Sequence, residues 1–213
     1  MTVEKTIKGL LKSIFEDNSK YVRTELEPTL EVIKTKQEPR ATVVMCSDSR
    51  IQVNVIDNNA VNNLFFVRNI GNQVSTAKGS IEFGVRHLHT PVLLIIGHVG
   101  CGAIEASLKD YSQESAAIRR ELDSIKLACG ISPKQGVVDN IHYQVNVALE
   151  EFSKEISEHK LLIIGAIYDF RNEYGFDYNR LIVLNVNGER DPAIIRKCHY
   201  LEEINDMMRV GVE

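Results

Sequence analysis

Two short apolar segments restrict the fold of this chain more than any other feature of its sequence. Residues 41–45 and 92–96 are aliphatic, rich in β-branched side chains and too short for a typical helix, so each is predicted to be a buried strand. Cys46 directly follows the first segment, and His98 and Cys101 follow the second. Because ligands bind beyond the carboxyl ends of parallel strands in an open α/β sheet, we expect these three side chains to converge.

The remainder of the chain alternates between strand and helix patterns. The other predicted elements are strands at 64–69, near 161–168 and 181–186, and helices at 80–88, 103–128 and 138–157. The breaker cluster 130–133 is predicted to end one helix before the next begins. Alternating strands and helices indicate βαβ units. The predicted fold is therefore α/β, a mainly parallel central sheet flanked by helices, with an N-terminal helical extension.

The N-terminal region is predicted to be helical. Five apolar residues recur there at the spacing of one helical face: Ile7, Leu10, Leu11, Ile14 and Phe15. A similar pattern continues over 21–33 after a break near Asn18 and Ser19, so we expect two helices. A length of 213 residues with 44% hydrophobic content suits one domain over 1–213, with 1–36 as its helical extension.

Composition and charge argue against several classes of partner. The 25 Lys and Arg residues against 29 Asp and Glu give a net charge of −4, and the absence of a basic run argues against nucleic acid. No apolar stretch approaches the roughly 20 residues that cross a bilayer, and the first residues lack a signal-peptide core. Four unevenly spaced cysteines do not make a disulfide framework. We expect a cytoplasmic protein with no nucleic-acid or membrane partner.

The ligand types at the two strand ends favour zinc. Tetrahedral zinc prefers thiolate sulfur and imidazole nitrogen, and three protein ligands leave the fourth position for water. Cys46, His98 and Cys101 supply such a set, so we predict one Zn²⁺ per chain in an open site. Taken singly, either cysteine is more often a small buried hydrophobic residue than a ligand.

Asp48 and Arg50 are predicted to form a catalytic pair beside the metal. A bidentate, charge-assisted bond from Arg50 holds the carboxylate away from zinc, for which it otherwise competes as a fourth ligand. The carboxylate then accepts the proton of zinc-bound hydroxide and orients the oxygen lone pair toward an electrophile. Metal binding lowers the pKa of water toward about 7, which makes that nucleophile available. An ion pair at a helix start is the alternative interpretation.

Three ordered motifs carry a resemblance to a known family. They are Cys-Ser-Asp-Ser-Arg at 46–50, Arg-Asn-Ile-Gly-Asn at 68–72 and Gly-His-Val-Gly-Cys-Gly at 97–102. Together they resemble the β-class carbonic anhydrases over roughly residues 37–107, with weaker similarity beyond, at Asn140, Gln144, Val145 and 165–169. The resemblance implies an enzyme that reversibly hydrates carbon dioxide to bicarbonate and a proton, a lyase.

The resemblance also assigns residues. It implies that Cys46, His98 and Cys101 bind zinc and that Asp48 and Arg50 form the catalytic pair. The implied substrate-binding residues are Gln37, Phe65, Ile70, Phe83 and Gly102, although plant-like members carry tyrosine at the position of Phe83. The family further implies a homodimer or tetramer, with N-terminal helices embracing the partner and active sites near the interface. Packing of those helices on the chain's own sheet is the alternative.

One subgroup of the family is disfavoured by a missing side chain. Members with an inhibitory bicarbonate site and a closed, aspartate-ligated zinc tend to carry tryptophan three residues before the first zinc cysteine, where this chain has Val43. Arg68 matches an arginine of that regulatory site, but the missing indole favours the open form.

Other functions remain as alternatives. A related hydrolase of carbonyl sulfide or carbon disulfide uses the same nucleophile on another linear substrate, and a non-catalytic zinc or redox-sensing protein keeps the fold with a closed or empty site. A dinucleotide fingerprint is disfavoured because Glu105 stands where the spacing after Gly100 and Gly102 requires glycine.

Overall fold

The computed structural model describes residues 3–24 and 35–212 of the chain. The chain divides into two compact units, residues 1–38 and residues 39–213. The organisation of residues 1–213 as one domain stays a prediction. Every helix within the described ranges is too short or too polar to cross a membrane.

The first unit contains helix α1, Val3–Thr24. The expected break near Asn18 and Ser19 is wrong, because α1 runs through both residues. The Ser19 hydroxyl donates to the backbone oxygen of Phe15 at 2.8 Å, a bond to the preceding turn that lets serine remain inside a helix. The apolar residues of the predicted face are exposed. The rest of the expected second helix, 25–33, lies outside the described residues.

The second unit is built on a six-stranded sheet. Its strands are β1 Ala41–Cys46, β2 Leu64–Asn69, β3 Val92–His98, β4 Leu162–Asp169, β5 Arg180–Val186 and β6 Arg209–Val210. The spatial order is β2-β1-β3-β4-β5-β6, and the first four strands are parallel. β5 pairs antiparallel with β4, and β6, which the sequence did not predict, is parallel to β5. The predicted mainly parallel sheet is confirmed.

Helices flank this sheet. They are α2 Lys78–Glu82, α3 Gly102–Ser107, α4 Ala116–Asp123, α5 Pro133–Glu151, α6 Ser153–Ser157 and α7 Pro192–Ile195. A π-helical turn, Phe83–His87, continues α2, and 3₁₀ turns lie at Val53–Val55, Ser75–Ala77 and Glu202–Ile204.

The single helix expected over 103–128 is wrong, since α3 and α4 are separate. Asp110 accepts a hydrogen bond from the backbone N–H of Ser112 at 2.9 Å, which forms a local turn between them. The Ser115 hydroxyl then caps α4 by accepting from the N–H of Ile118. Ser132 caps α5 in the same way, and proline occupies the first turn, so α5 begins five residues before the expected position.

Helix α5 packs closely on the strands that lead to the predicted site. A Cβ atom added to Gly97 of β3 would lie 2.7 Å from Cδ1 of Ile141 on α5. A Cβ atom added to Gly165 of β4 would lie 2.8 Å from Cγ2 of Val145. These two glycines leave room for the helix where a side chain would push it away. The tight packing fixes the end of β3, where His98 follows Gly97.

Candidate metal centre

The ends of two adjacent strands bring together the three predicted metal ligands. Cys46 is the last residue of β1 and His98 the last of β3, and these strands pair in parallel. Cys101 lies at the start of α3, three residues after His98. The ligand atoms of all three residues lie within 4.8 Å of one another, and the three side chains are buried. Cys46, His98 and Cys101, called the metal group below, are therefore placed to hold a metal ion.

The two cysteines form a coupled pair. Their Sγ atoms are 3.9 Å apart. The hydrogen bond from Cys101, helped by the backbone N–H groups of Gly71 and Asp48, lowers the pKa of Cys46 to about 4. The same bond, together with burial, raises the pKa of Cys101. Cys46 is therefore the more acidic thiol of the pair, and a metal that binds thiolate sulfur displaces the protons that thiols carry.

His98 is oriented by its own backbone neighbour. Its Nδ1 atom lies 3.0 Å from the carbonyl oxygen of Val99, and because a carbonyl only accepts, Nδ1 carries the proton. Nε2 is consequently an acceptor. It is fully buried and has no hydrogen-bond partner among the described residues. A buried nitrogen with a free lone pair beside two thiols is what a metal ligand requires.

The donor set and its spacing fit zinc. Two sulfurs on one tetrahedral zinc, each about 2.3 Å from it, are about 3.8 Å apart, close to the separation between Cys46 and Cys101. The third donor is the unpartnered nitrogen of His98. Three nitrogen and sulfur ligands leave one tetrahedral position for water or substrate.

Asp48 is fixed by Arg50 next to this group. Oδ1 of Asp48 accepts from the backbone N–H and from Nε of Arg50 at 2.9 and 3.0 Å, and Oδ2 accepts from Nη2 at 2.6 Å. These bonds hold the pKa of the Asp48 carboxyl well below its usual range. Arg50 also donates to the carbonyl oxygen of Gly100 at 2.8 Å, which ties the pair to the loop between His98 and Cys101.

Arg68 holds the loop that carries Cys46 and Asp48. Its guanidinium donates to the carbonyl oxygens of Cys46, Asp48 and Ile51 at 2.8 to 3.0 Å. Its remaining terminal nitrogen lies 3.4 Å from Oε1 of Gln52. The arginine that the resemblance associates with a regulatory bicarbonate site is thus engaged with the loop after β1.

Phe170 lies beside the metal group, and sequence reasoning missed it. Its ring centroid is 6.3 Å from that of the His98 ring, and Cζ of Arg50 lies 5.1 Å from it. Cζ of Arg171 lies 5.3 Å from the same ring. Phe170 directly follows β4, which is the neighbour of β3. The strand-end argument that identified Cys46 and His98 would have found it if extended to β4.

The predicted substrate-binding residues are not all near the metal group. Ile70 packs against the core cluster that contains Cys46 and Cys101, and Gly102 begins α3 with open space at its Cα. Phe65 packs in a different core cluster. Its ring centroid is 6.0 Å from that of Phe83, which is 42% exposed. Gln37 is exposed and belongs to the first unit.

Comparison with known proteins relates the chain to enzymes of known activity. The family profile described as carbonic anhydrase matches residues 41–174. Carbonic anhydrase 2 of Mycobacterium tuberculosis is 27% identical over 146 residues, which cover 62% of this chain and 70% of that protein. The carbonic anhydrase of Synechococcus elongatus is 32% identical over 124 residues, 47% of this chain and 46% of that protein.

Solved structures share the fold. The β-carbonic anhydrase of Coccomyxa superposes with a TM-score of 0.67 at 19% identity, covering 92% of this chain and 97% of that chain. A tetrameric β-carbonic anhydrase of Sordaria macrospora gives a TM-score of 0.66 at 20% identity, covering 85% and 98%. Because the matched profile spans more than half of the sequence, the chain belongs to the β-class carbonic anhydrases, enzymes that reversibly hydrate carbon dioxide.

Proposed function

We propose that the chain hydrates carbon dioxide with one Zn²⁺ held by Cys46, His98 and Cys101, beside the catalytic pair of Asp48 and Arg50. The observation that carries this proposal is the buried, unpartnered Nε2 of His98, in a residue whose ring contributes to a group of ligand atoms that all lie within 4.8 Å of one another. When bound, zinc lowers the pKa of a water ligand toward about 7, as in carbonic anhydrases with other ligands, and so supplies hydroxide near neutral pH.

Asp48 orients the attacking oxygen. Its Oδ2 atom lies 3.8 Å from Nε2 of His98, so the carboxylate borders the metal group. Because Arg50 keeps it ionised, Asp48 acts only as a hydrogen-bond acceptor. A hydrogen on the attacking oxygen therefore points toward Asp48, and a lone pair is left for carbon dioxide. The bonds from Arg50 also keep both carboxylate oxygens from becoming metal ligands.

The substrate pocket is proposed from the same assignments. Gly102 directly follows Cys101, and Ile70 packs against the core cluster that contains Cys46 and Cys101. Both residues would therefore border carbon dioxide or bicarbonate directly. The resemblance also assigns Gln37, Phe65 and Phe83 to substrate binding. Since Phe65 and Phe83 pack in another part of the sheet, we propose that they line a site across a subunit interface.

A homodimer or tetramer is part of this proposal. The exposed apolar residues of α1 favour association of the first unit with another copy. Light scattering on the purified protein gives the mass of the assembly, and a monomeric mass would contradict the proposal. A cytoplasmic location is supported by the four unpaired cysteines, which suit a reducing compartment.

The decisive experiment is stopped-flow carbon dioxide hydration from about pH 6.5 to 9, with metal content measured on the same sample. We expect turnover in proportion to bound zinc, loss of turnover on chelation, and recovery when zinc is restored. Zinc at one equivalent without hydration would contradict the proposed roles and favour a non-catalytic zinc protein. Hydrolysis of carbonyl sulfide in place of hydration would favour the related hydrolase.

A further inference from the structure

Gly71 connects the metal group to helix α5. Its backbone N–H donates to Sγ of Cys46 at 3.5 Å. Its carbonyl oxygen accepts from Nδ2 of Asn140 on α5 at 2.9 Å. Gly71 and Asn140 are both buried, so no water competes for these bonds. One residue of the loop after β2 thus contacts a proposed zinc ligand on one side and a buried amide on the other.

Gly71 has an unusual backbone conformation, which hydrogen bonds from other segments help to hold. Its φ angle is +77°, in the left-handed region, and a Cβ atom here would lie 3.0 Å from Cδ1 of Ile125. The N–H and the C=O of Gly71 belong to the two peptide groups that meet at its Cα, and φ and ψ together set their relative direction. Holding the carbonyl oxygen through Asn140, in a residue packed against Ile125, therefore restricts the direction in which the N–H points.

Asn140 is itself oriented by a second amide. Gln144 lies one turn further along α5 and donates from Nε2 to Oδ1 of Asn140 at 3.2 Å. Because Oδ1 is used as an acceptor, the amino group of Asn140 faces Gly71 and donates. Oε1 of Gln144 accepts from the N–H of Val74 at 2.8 Å, so both side chains hold the same loop.

A hydrogen bond to a ligand sulfur changes how that sulfur binds metal. An N–H directed at a thiolate draws electron density from the sulfur and sets its position relative to the other ligands. Groups that orient a metal ligand typically change metal affinity by about 10–100-fold when they are removed. The Gly71 amide is in the right place for this effect, and Asn140 controls that amide.

We propose that Asn140 is a positioning residue for the metal centre, which acts by holding Gly71 so that its N–H is directed at the sulfur of Cys46. This inference rests on the proposed function, because Cys46 must be a metal ligand. Asn140 acts through Gly71 and is not itself one of the proposed ligands. It affects the strength and electronic character of the bond between the sulfur of Cys46 and the metal.

The test replaces Asn140 with leucine, which has a similar size but lacks the amino donor. Asn185→Leu is the matched control, since Asn185 is an equally buried asparagine that bonds to His142 and Gly188. Zinc affinity is measured by competition with a chromophoric chelator. The cobalt-substituted proteins are compared by their thiolate-to-cobalt charge-transfer absorption, which reports the sulfur ligands without any need for turnover.

We expect Asn140→Leu to weaken zinc binding about 10–100-fold and to shift the charge-transfer band, and Asn185→Leu to change neither. Unchanged affinity and spectrum in Asn140→Leu would overturn the inference, as would an equal loss in both variants. If Asn140→Leu does not fold, Asn140→Ser is measured instead, because the shorter serine side chain does not reach Gly71. Zinc affinity and the charge-transfer band of that variant then decide in the same way. A wild-type protein without stoichiometric metal or a thiolate band would contradict the proposed function itself.

Discussion

Oδ2 of Asp48 lies 3.8 Å from Nε2 of His98, yet the carboxylate bonds to Arg50 and not to the imidazole. His98 also belongs to the group that it forms with Cys46 and Cys101, whose ligand atoms lie within 4.8 Å of one another. The imidazole donates its one proton to Val99, so its Nε2 lone pair and the Asp48 carboxylate are both acceptors. Two acceptors this close are stabilised by a cation or by a hydrogen-bond donor between them.

Asp48→Asn is expected to retain zinc and to lower carbon dioxide hydration about 100-fold or more. The amide has the shape of the carboxylate, but it has lost the negative charge that binds Arg50 and accepts from the attacking oxygen. Stopped-flow hydration and zinc analysis on the same sample measure the two effects. Ser49→Ala changes an exposed neighbour and serves as control. Wild-type hydration by Asp48→Asn would contradict the catalytic role.

Cys101→Ala is expected to lose metal and activity together. Only one sulfur and one nitrogen of the group remain, too few donors to hold zinc against a chelator. Cys129→Ala removes an exposed, unpaired thiol and should keep both properties. Zinc content by atomic absorption, measured after dialysis against chelator, separates the two variants. A Cys101→Ala protein that still holds one zinc per chain would refute the proposed ligand set.

Gly97→Ala is expected to destabilise the fold by about 1–3 kcal/mol. The new methyl group would meet Cδ1 and Cγ1 of Ile141 at 2.7 and 2.8 Å, so α5 or β3 must shift. Gly79→Ala in α2 meets no atom within 4 Å and should be neutral or slightly stabilising. Urea unfolding measures the change in the free energy of unfolding for both variants. In an Ile141→Val background, which lacks Cδ1, the penalty of Gly97→Ala should be smaller.

Acid is expected to destabilise the protein through His142. Burial, assisted by Arg190, lowers the pKa of His142 from 6.5 to about 4, against a smaller opposing effect of Asp139. Between these values the unfolded chain binds more protons than the folded chain, so the free energy of unfolding decreases as pH falls. We expect a loss of about 2 kcal/mol over this window, given the partial exposure of the ring.

Urea unfolding at several pH values measures this effect, with His142→Gln as the comparison. The variant has no group that titrates at this position, so its stability should fall less steeply between pH 6.5 and about 4. An identical slope in the two proteins would show that His142 does not contribute.

The metal group was predictable because its positions follow from strand ends. Cys46 and His98 each end an apolar segment, and adjacent parallel strands bring such ends together. The separation of α3 from α4 also left a local signal, since Ser115 is a typical capping residue. The continuity of α1 left no such signal. Asparagine and serine occur both at helix ends and inside helices, and which of these applies to Asn18 and Ser19 depends on contacts that sequence alone does not give.

Contacts between distant segments account for what could not be predicted. Asn140 and Gly71 are 69 positions apart, and nothing in either segment indicates that a buried amide meets a left-handed glycine. The antiparallel direction of β5 depends on how the chain returns after β4. Arg68 matched an arginine of a regulatory site in the family, but its bonds to Cys46, Asp48 and Ile51 are visible only in the folded loop.

The proposed ligands lie on segments that are far apart in sequence, and this has a consequence for biosynthesis. Cys46 emerges from the ribosome well before Cys101, and the β1–β3 pairing that unites them requires the whole crossover between the two strands. A nascent chain that ends before residue 101 has no complete set of donors. The complete proposed set of donors therefore exists only in a chain that extends past residue 101 and has paired β1 with β3, so metal bound by all three would report that this part of the sheet has formed.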